Sequence, residues 1–364
     1  MEDQQFLAQF LSIYSPSGRE HEAGEFLVAE MESRGFTAYR DPVGNAIGTI
    51  GASAAAAERT IVLLGHMDTV PGVIPVRIEG DHLYGRGAVD AKGPLAAFIV
   101  AATRASGQLG GARVMVIGAV EEEFHGKGAH YLAENMVAPD CALIGEPGGW
   151  DGITLGYKGM LTAEFRCLQP SRHRATGWPT PGEKAVDFWN CLTAYTDTLN
   201  QGESWRFHSL DADLRAIHTF GNGLQEGAEM TIGLRLPPGF SLDQLQERMR
   251  SWANGGSEVT FPYGEPPFQA EKNSVIVRRL LRSIRAHGGK PTFKLKTGTS
   301  DMNVVGPVWG CPIATYGPGD AAFDHTPNEH IQLTEFAKAV DVLSDVLRSL
   351  SAAGRPTSLE GSVT

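Results

Sequence analysis

Three short, uninterrupted apolar runs constrain the fold of this chain most strongly. They occupy residues 61–64, 114–120 and 142–144. Runs of this length without polar alternation are typical of strands that are buried on both faces of a sheet. A stretch with helical spacing, residues 95–105, separates the first two runs. Strands that alternate with helices predict an α/β fold with a mainly parallel central sheet.

The middle of the chain has a different pattern. Between residues 160 and 267, strand-like segments at 229–236 and 258–261 accompany helical segments at 183–199 and 242–253. We therefore expect an α+β domain, residues 160–267, inserted into a catalytic α/β domain formed by residues 1–159 and 268–364. A chain of 364 residues is long enough for two or three domains.

Composition excludes several classes of protein. The chain has 42 acidic and 31 basic residues, so its net charge of −11 argues against nucleic acid or an anionic membrane as the main partner. No apolar stretch approaches the ~18–20 residues of a membrane helix. The four cysteines form no C-x-x-C pair, which is typical of a reducing compartment. Because the acidic start also lacks the features of a signal peptide, we expect a cytoplasmic protein.

Polar side chains that can bind a metal follow each apolar run. His66 and Asp68 follow the first run, residues 121–123 (all glutamate) end the second, and Glu146 follows the third. Ligand sites of open α/β sheets form at the carboxyl ends of the strands. Taken singly, His66 is also compatible with a surface turn, and three consecutive glutamates with a solvated charge run.

Two further segments contribute carboxylate and imidazole groups. Asp90 lies in the glycine-rich segment 85–93, and His325 lies in the last part of the chain. Asp90 alone could simply cap the following helix. Considered together, however, two histidines and several carboxylates without cysteine indicate a two-metal hydrolase rather than a structural zinc site.

The order of these residues resembles the cocatalytic zinc aminoacylase/carboxypeptidase family of metallopeptidases, M20. Residues 66–71 resemble its H-x-D-x-V-P box, and residues 85–93 resemble its G-x-G-x-x-D-x-K-G box. Residues 121–123 stand where the family has D-E-E, and His325 matches its late histidine. The resemblance extends over nearly the whole chain.

The resemblance implies a role for each residue of the site. His66 and Glu146 would bind one metal, Glu123 and His325 the other, and Asp90 would bridge the two ions. Asp68 would orient His66, and Glu122 would be the general base. If the D-E-E box aligns one residue earlier, Glu121 becomes the base and Glu122 the ligand.

The family also implies the cofactor, the assembly and part of the substrate site. We expect two divalent ions, zinc first, with cobalt or manganese as alternatives. The inserted domain would mediate a homodimer or a dimer of dimers. Arg235 would hold a substrate carboxylate, since its planar guanidinium suits bidentate binding. His173 would enter the partner's site as an oxyanion donor, with His208 and His218 as alternatives because the H-S-x-x-P pattern is incomplete.

Within the family, residues 296–303 and 316–320 resemble enzymes that release lysine or ornithine from an amino-group carrier protein. Thr299 and Asp301 are the expected substrate contacts in this region. The alternatives are a deacylase like acetylornithine deacetylase or succinyl-diaminopimelate desuccinylase, a small dipeptidase, and a non-catalytic binding protein. The carrier implied by the resemblance is acidic, so an acidic enzyme needs a local basic patch. The candidates for that patch are Lys158, Arg172 and Arg174.

Overall fold

The computed structural model describes residues 3–173, 175 and 177–352. These residues form two compact units. Unit one contains the described residues of Met1–Leu155, Ala270–Lys294 and Ser300–Thr364, and unit two contains those of Gly156–Gln269 and Leu295–Thr299. Unit two thus includes a short segment beyond residue 268 that we expected in the catalytic domain.

The helices and strands follow one another along the chain in the following order. They are α1 (Asp3–Ser12), α2 (His21–Ser33), β1 (Thr37–Arg40), β2 (Ala46–Gly51), β3 (Arg59–His66), β4 (Arg77–Glu79), β5 (His82–Tyr84), α3 (Lys92–Ala105), β6 (Ala112–Ala119), α4 (Lys127–Asn135), β7 (Cys141–Gly145), β8 (Gly152–Tyr157), β9 (Gly159–Pro170), α5 (Pro181–Leu199), β10 (Asp211–Gly221), β11 (Gln225–Leu236), α6 (Leu242–Trp252), β12 (Ser257–Glu265), β13 (Phe268–Gln269), α7 (Val275–Ala286), β14 (Thr292–Lys296), α8 (Asp301–Trp309), β15 (Ile313–Thr315), β16 (His330–Gln332) and α9 (Leu333–Ser351).

The central sheet of unit one is mixed. Its strands lie in the order β1-β2-β6-β3-β7-β15-β8. The four inner strands β6, β3, β7 and β15 are parallel, whereas β1, β2 and β8 pair antiparallel at the two sides. The predicted α/β class is therefore confirmed, with the parallel strands confined to the middle of the sheet. Strands β1 and β2 are antiparallel because the short turn at residues 41–45 joins them directly.

The three apolar runs form the buried inner strands. The last six residues of β3, residues 61–66, are all buried, and so is every residue of β7. Helix α3 is also buried along most of its length, and it packs against β3, β6 and α9. Because helices pack against the inner strands, the strand ends from which the site loops start are held by a buried layer.

Unit two is a four-stranded antiparallel sheet with helices packed against it. The strand order is β10-β11-β9-β12, and α5 lies against β9, β10 and β11. The core of this unit is formed by alternate residues of β9 and β11 together with one side of α5 and α6. These are Leu161, Ala163, Phe165, Met230, Ile232, Leu234, Phe188, Leu192, Leu245 and Met249.

Candidate metal centre

The ends of three adjacent parallel strands bring the site residues together. In the register of the sheet, His66 at the end of β3 is opposite Ala119 of β6, and Gly65 is opposite Gly145 of β7. The three loops therefore begin at the same edge, and residues of the kind expected at a metal site lie at or close to the start of each. This is the position at which open α/β sheets bind ligands.

His66 is completely buried, and its two ring nitrogens face different groups. Its Nδ1 lies 3.0 Å from the carbonyl oxygen of Asp68 and 3.4 Å from the Asp68 carboxylate. Its Nε2 lies 3.2 Å from Asp90, 3.7 Å from Glu146 and 3.9 Å from Glu122. A proton held on Nδ1 by Asp68 leaves the Nε2 lone pair directed at the acidic groups, which is the usual arrangement of a metal-binding histidine.

Asp68 also holds the backbone that follows β6. One carboxylate oxygen accepts the N–H of Glu122 at 3.1 Å, and the other accepts the N–H of Glu123 at 3.0 Å. The hydroxyl of Ser17 donates to the second oxygen at 2.7 Å. Burial opposes the charge of Asp68, but its hydrogen bond to His66 keeps the pKa of this carboxyl below its usual value. Asp68 therefore orients both an imidazole and a loop.

Asp90 divides its two carboxylate oxygens between two imidazoles. Oδ1 lies 3.2 Å from Nε2 of His66, and Oδ2 lies 3.1 Å from Nε2 of His325. Helix α3 begins at Lys92 without a side-chain cap, so Asp90 does not have the capping role that its position allowed. Gly87 in the preceding turn has a φ of 85°, and a Cβ there would lie 2.9 Å from Thr69. Only glycine fits this turn without strain.

The three consecutive glutamates after β6 point to different partners. Glu123 accepts a hydrogen bond from His325 at 2.8 Å, and Glu122 lies beside His66. Glu121 has a positive φ of 59°, and its side chain lies 3.5 Å from Lys127. This arrangement favours the register in which Glu122 and Glu123, rather than Glu121 and Glu122, belong to the site.

The ligand atoms form two groups of the size that a metal ion needs. His66, Glu122 and Glu146 form one group, and Asp90, Glu123 and His325 form the other. Within each group, one ligand atom from every residue lies within 4.8 Å of the others. Imidazole and carboxylate donors without thiolate suit zinc, cobalt or manganese, and two such groups side by side match the pattern of a two-metal site. The residues present therefore fit two divalent ions.

The electrostatics of the groups are also those of a cation site. Burial raises the pKa of Glu122 well above its usual value; His66 opposes this, and the charge of Glu146 adds to it. Asp90 and Glu123 raise the pKa of His325 to about 10. Positive charge placed among these carboxylates would offset their buried negative charge.

Comparison with known proteins places the chain in a family. Residues 62–349 match the model of Peptidase family M20/M25/M40. The chain belongs to this peptidase family. It is 42% identical over 353 residues to "LysW-lysine hydrolase" of Deinococcus radiodurans, with 95% of this chain and 96% of the relative covered. It is 40% identical over 349 residues to the putative "LysW-lysine/LysW-ornithine hydrolase" of Thermococcus kodakarensis, with 96% and 92% covered.

The M20 fold is also that of solved structures. The M20 family metallo-carboxypeptidase Sso-CP2 of Sulfolobus solfataricus superposes with a TM-score of 0.78 at 19% identity, covering 97% of this chain and 100% of that one. At this identity, the likeness shows the fold alone. The family match makes this M20 chain a hydrolase.

The predicted substrate contacts of the M20 chain lie in both units. Asp301 of unit one is buried in the first turn of α8, and its charge raises the pKa of Glu122. In unit two, Nη1 of Arg235 lies 3.4 Å from the hydroxyl of Thr299. Within the described residues, no carboxylate lies within ion-pair distance of Arg235. His173 is exposed, and its Nδ1 accepts the backbone N–H of Ala175 at 3.3 Å.

The two alternatives to His173 are paired within unit two. His208 lies 3.6 Å from Glu203, and His218 lies 3.1 Å from Glu229.

The prediction of a basic patch is wrong for one of its three residues, Lys158. Lys158 is fully buried, and its Nζ donates to the carbonyl oxygens of Arg206 and Ser209 and to Asp211 at 2.8 Å. Its charge is used inside unit two, so it offers nothing to a partner. Arg172 is exposed and lies over the ring of Trp178, whereas Arg174 lies outside the described residues.

Two residues that our sequence reasoning missed hold the loops of the site. Glu329 is buried, and it accepts the backbone N–H of Asp90 and the guanidinium of Arg86. The signal for Arg86 was its place inside the glycine-rich box. The sequence showed Glu329 only as a carboxylate four positions after His325. This spacing alone predicts no contact with the Asp90 loop.

Proposed function

We propose that this chain is a metal-dependent amide hydrolase that releases lysine or ornithine from an amino-group carrier protein. The observation that carries the chemistry is the division of the Asp90 carboxylate between the two imidazoles, each with its own acidic neighbours. The names of the full-length relatives, which state hydrolysis of LysW-linked lysine or ornithine, support the substrate class.

We assign one bridging and four terminal ligands, with Glu122 of the first group kept as the base and Asp90 of the second group shared because it also lies 3.2 Å from His66. His66 and Glu146 would hold one ion, Glu123 and His325 the other, and Asp90 both. Two divalent ions in such a site supply Lewis acidity and make water nucleophilic at neutral pH. Zinc is the first candidate, and cobalt and manganese accept the same donors.

Glu122 is the proposed general base and acid. Its carboxylate lies beside His66; burial raises its pKa, and the charges of Glu146 and Glu123 add to this. A carboxylate with raised basicity takes the proton of the attacking water and passes it to the nitrogen of the leaving amine. The amide bond breaks, the carrier keeps its carboxylate, and the amino acid leaves with a free amino group.

Recognition of the amino acid would divide between a cation and an anion. Arg235, without a carboxylate partner among the described residues, would hold the α-carboxylate of the leaving amino acid. Buried Asp301 would pair with the side-chain ammonium. His173 from the partner subunit would stabilise the oxyanion of the tetrahedral intermediate.

An edge strand of unit two supports the proposed homodimer. In β10, Leu214 and Ile217 lie directly opposite the buried Ile232 and Met230 of β11, yet they are 40% and 43% exposed. The apolar side of this sheet thus continues to an uncovered edge. Long edge strands with exposed apolar residues are available for pairing with another chain.

A basic surface of unit one supports an acidic protein substrate. From Lys272 to Lys294 the chain has seven basic and no acidic residues, although its net charge is −11. Six of the seven side chains are exposed, and none forms an ion pair within the described residues. They are Lys272, Arg278, Arg282, Arg285, Lys290 and Lys294. We call this set the α7 basic surface and assign the carrier to it, in place of the patch that included Lys158.

The proposed compartment follows from the state of the cysteines. All four are free thiols, which is typical of a reducing interior. In the described part of the chain, no helix combines the length and the apolar character needed to cross a membrane. We propose a cytoplasmic reaction.

A hydrolysis panel tests the proposed function. Zinc-loaded enzyme is assayed on carrier-linked lysine, carrier-linked ornithine, N-acetylornithine, N-succinyl-diaminopimelate and a dipeptide, each with and without chelator. We expect chelator-sensitive release of lysine or ornithine from the carrier, well ahead of the small amides. If the enzyme prefers a small N-acyl substrate, the proposed metal chemistry still applies, but the enzyme is a deacylase. Activity that survives complete metal removal would contradict the mechanism.

A further inference from the structure

A buried ion pair joins the two loops that supply Asp90 and His325. Arg86 lies four residues before Asp90, and Glu329 lies four residues after His325. Nη1 of Arg86 donates to Oε2 of Glu329 at 2.8 Å. The side chain of Glu329 is almost completely buried, and that of Arg86 is 11% exposed. Each loop therefore contributes one proposed metal ligand and one member of the pair.

The other oxygen of Glu329 holds the backbone of the Asp90 loop. Oε1 accepts the N–H of Val89 at 2.9 Å and the N–H of Asp90 at 3.1 Å. The carbonyl oxygen of Glu329 accepts the N–H of Gly85 at 3.3 Å. The position of the Asp90 main chain is thus set by a side chain more than 200 residues away in sequence. An ionised oxygen that accepts two N–H groups forms stronger hydrogen bonds than a neutral one.

Arg86 connects these loops to the loop after β3. Its Nε donates to the carbonyl oxygen of Gly72 at 3.2 Å, and Nη1 donates also to the carbonyl oxygen of Thr326, next to His325, at 3.2 Å. One guanidinium therefore contacts three loops, the one that follows His66 and the two that carry Asp90 and His325. Its planar shape allows this, and an ammonium group could not replace it.

We infer that the Arg86–Glu329 pair is a positioning device of the metal centre, which sets the distance between the Asp90 carboxylate and the His325 imidazole. The inference rests on the proposed function, because it treats Asp90 and His325 as ligands. Asp90 reaches both imidazoles at 3.1–3.2 Å, so a small displacement of its backbone removes one of the two contacts. Partners that orient metal ligands typically contribute roughly 10- to 100-fold to metal affinity.

The test compares Glu329→Gln with a matched buried carboxylate away from the site. Glu30 on α2 accepts a hydrogen bond from Arg34 at 2.9 Å and is also buried, but it contacts none of the three loops. Parent, Glu329→Gln and Glu30→Gln are loaded with zinc, and the chelator concentration that removes half of the metal is measured. Thermal unfolding of each metal-free protein and the visible spectrum of each cobalt-loaded protein are recorded in parallel.

We expect Glu329→Gln to lose metal at a chelator concentration at least tenfold lower than the parent, with an altered cobalt spectrum. Glu30→Gln should lower the unfolding temperature while it keeps the parent's metal affinity and spectrum. Parent-like metal affinity and spectrum in Glu329→Gln, with only a lower unfolding temperature, would overturn the inference. A parent protein that binds no divalent metal would instead overturn the proposed function.

A second substitution keeps the test decisive if Glu329→Gln does not fold. Arg86→Lys retains the positive charge but cannot contact Gly72, Thr326 and Glu329 together. The same loss of metal affinity in Arg86→Lys supports the positioning role, and parent-like affinity contradicts it. Where both variants fold, the double variant should lose about as much metal affinity as either single variant, because the two residues act as one unit.

Discussion

At the scale of single residues, the three glutamates after β6 differ in role although they are identical in type. Glu122 lies beside His66, whereas the side chain of Glu121 pairs with Lys127. We expect Glu122→Gln to lower kcat by roughly 10²- to 10⁴-fold, as the loss of a general base does. Its zinc content should remain that of the parent. The measurement is steady-state hydrolysis together with metal analysis.

Glu121→Gln is the matched control for this prediction, since it replaces the carboxylate of the neighbouring residue with the same amide. It should keep nearly full activity. An inactive Glu121→Gln that keeps its zinc, combined with a Glu122→Gln that loses zinc, would show that the earlier register is correct.

Asp90 is the residue whose loss should affect both ions. Its two oxygens face different imidazoles, so Asp90→Ala removes the ligand that we propose both ions share. We expect the purified variant to retain less than one tightly bound metal ion per chain and to be inactive. Glu146→Ala, which changes only the group of His66, should retain more metal. Two tightly bound ions in Asp90→Ala would exclude a bridging role.

The thiols should be inert except at one position. Burial raises the pKa of Cys141 to about 12 and that of Cys311 to about 11, and Cys167 is buried, whereas Cys191 is exposed. Only the thiolate reacts, and a thiol with a pKa near 12 is roughly 10⁻⁴ ionised at pH 8. We expect one fast-reacting thiol per native chain, lost in Cys191→Ser. Because none of the proposed ligands is a thiolate, chelator should expose no further thiol; a chelator-dependent increase would contradict this ligand set.

At the scale of elements, the exposed edge of β10 carries the assembly prediction. Leu214 and Ile217 continue the buried apolar side of the sheet without cover. Leu214→Glu combined with Ile217→Glu places charge on this surface, and we expect the dimer to dissociate in sedimentation experiments. Val137→Glu, at a residue of unit one that is 90% exposed, is the control and should leave the dimer intact. A monomeric parent, or a dimer that tolerates both charges, would contradict the assignment of β10.

The fold was largely predictable at this scale because a buried strand has an apolar run in its own sequence. The apolar runs at 61–64, 114–120 and 142–144 became β3, β6 and β7, and the helical spacing at 95–105 became part of α3. No local sequence pattern indicated that β2 pairs antiparallel with β6. Strand direction depends on contacts between distant segments, and a strand's own sequence does not contain it.

At the scale of the whole molecule, an acidic chain that carries the α7 basic surface should discriminate between substrates by charge. Arg282→Glu combined with Arg285→Glu reverses two exposed charges of the α7 basic surface. We expect kcat/KM for carrier-linked lysine to fall by about tenfold or more and its salt dependence to weaken, because the complementary charges steer association. Hydrolysis of a small N-acyl-lysine should be unchanged.

Arg248→Glu combined with Arg250→Glu is the matched control, since both residues are exposed on helix α6 of unit two. This variant should keep the parent's activity on the carrier-linked substrate. If both double variants lose the same activity, or neither does, the α7 basic surface is not the docking site.

A shared active site makes a prediction about mixed dimers. If His173 acts in the partner's site, Glu122→Gln and His173→Ala are each impaired alone. A refolded equal mixture should regain about a quarter of the parent activity, since half of the dimers are mixed and each has one complete site. No recovery in a mixture shown to contain mixed dimers would exclude His173 as the shared residue.

The sequence by itself determined the α/β class, the family and the set of residues that could hold metal, because each of these depends on short segments. An apolar run predicts a buried strand, and a histidine or carboxylate at its end predicts a ligand. Only the tertiary structure decided which glutamate faces which imidazole, that Lys158 is buried, and that Glu329 holds the Asp90 loop. The contact between His325 and Glu123 joins residues 202 positions apart. Such contacts are set by the register of strands and the packing of loops, and no local pattern in the chain encodes them.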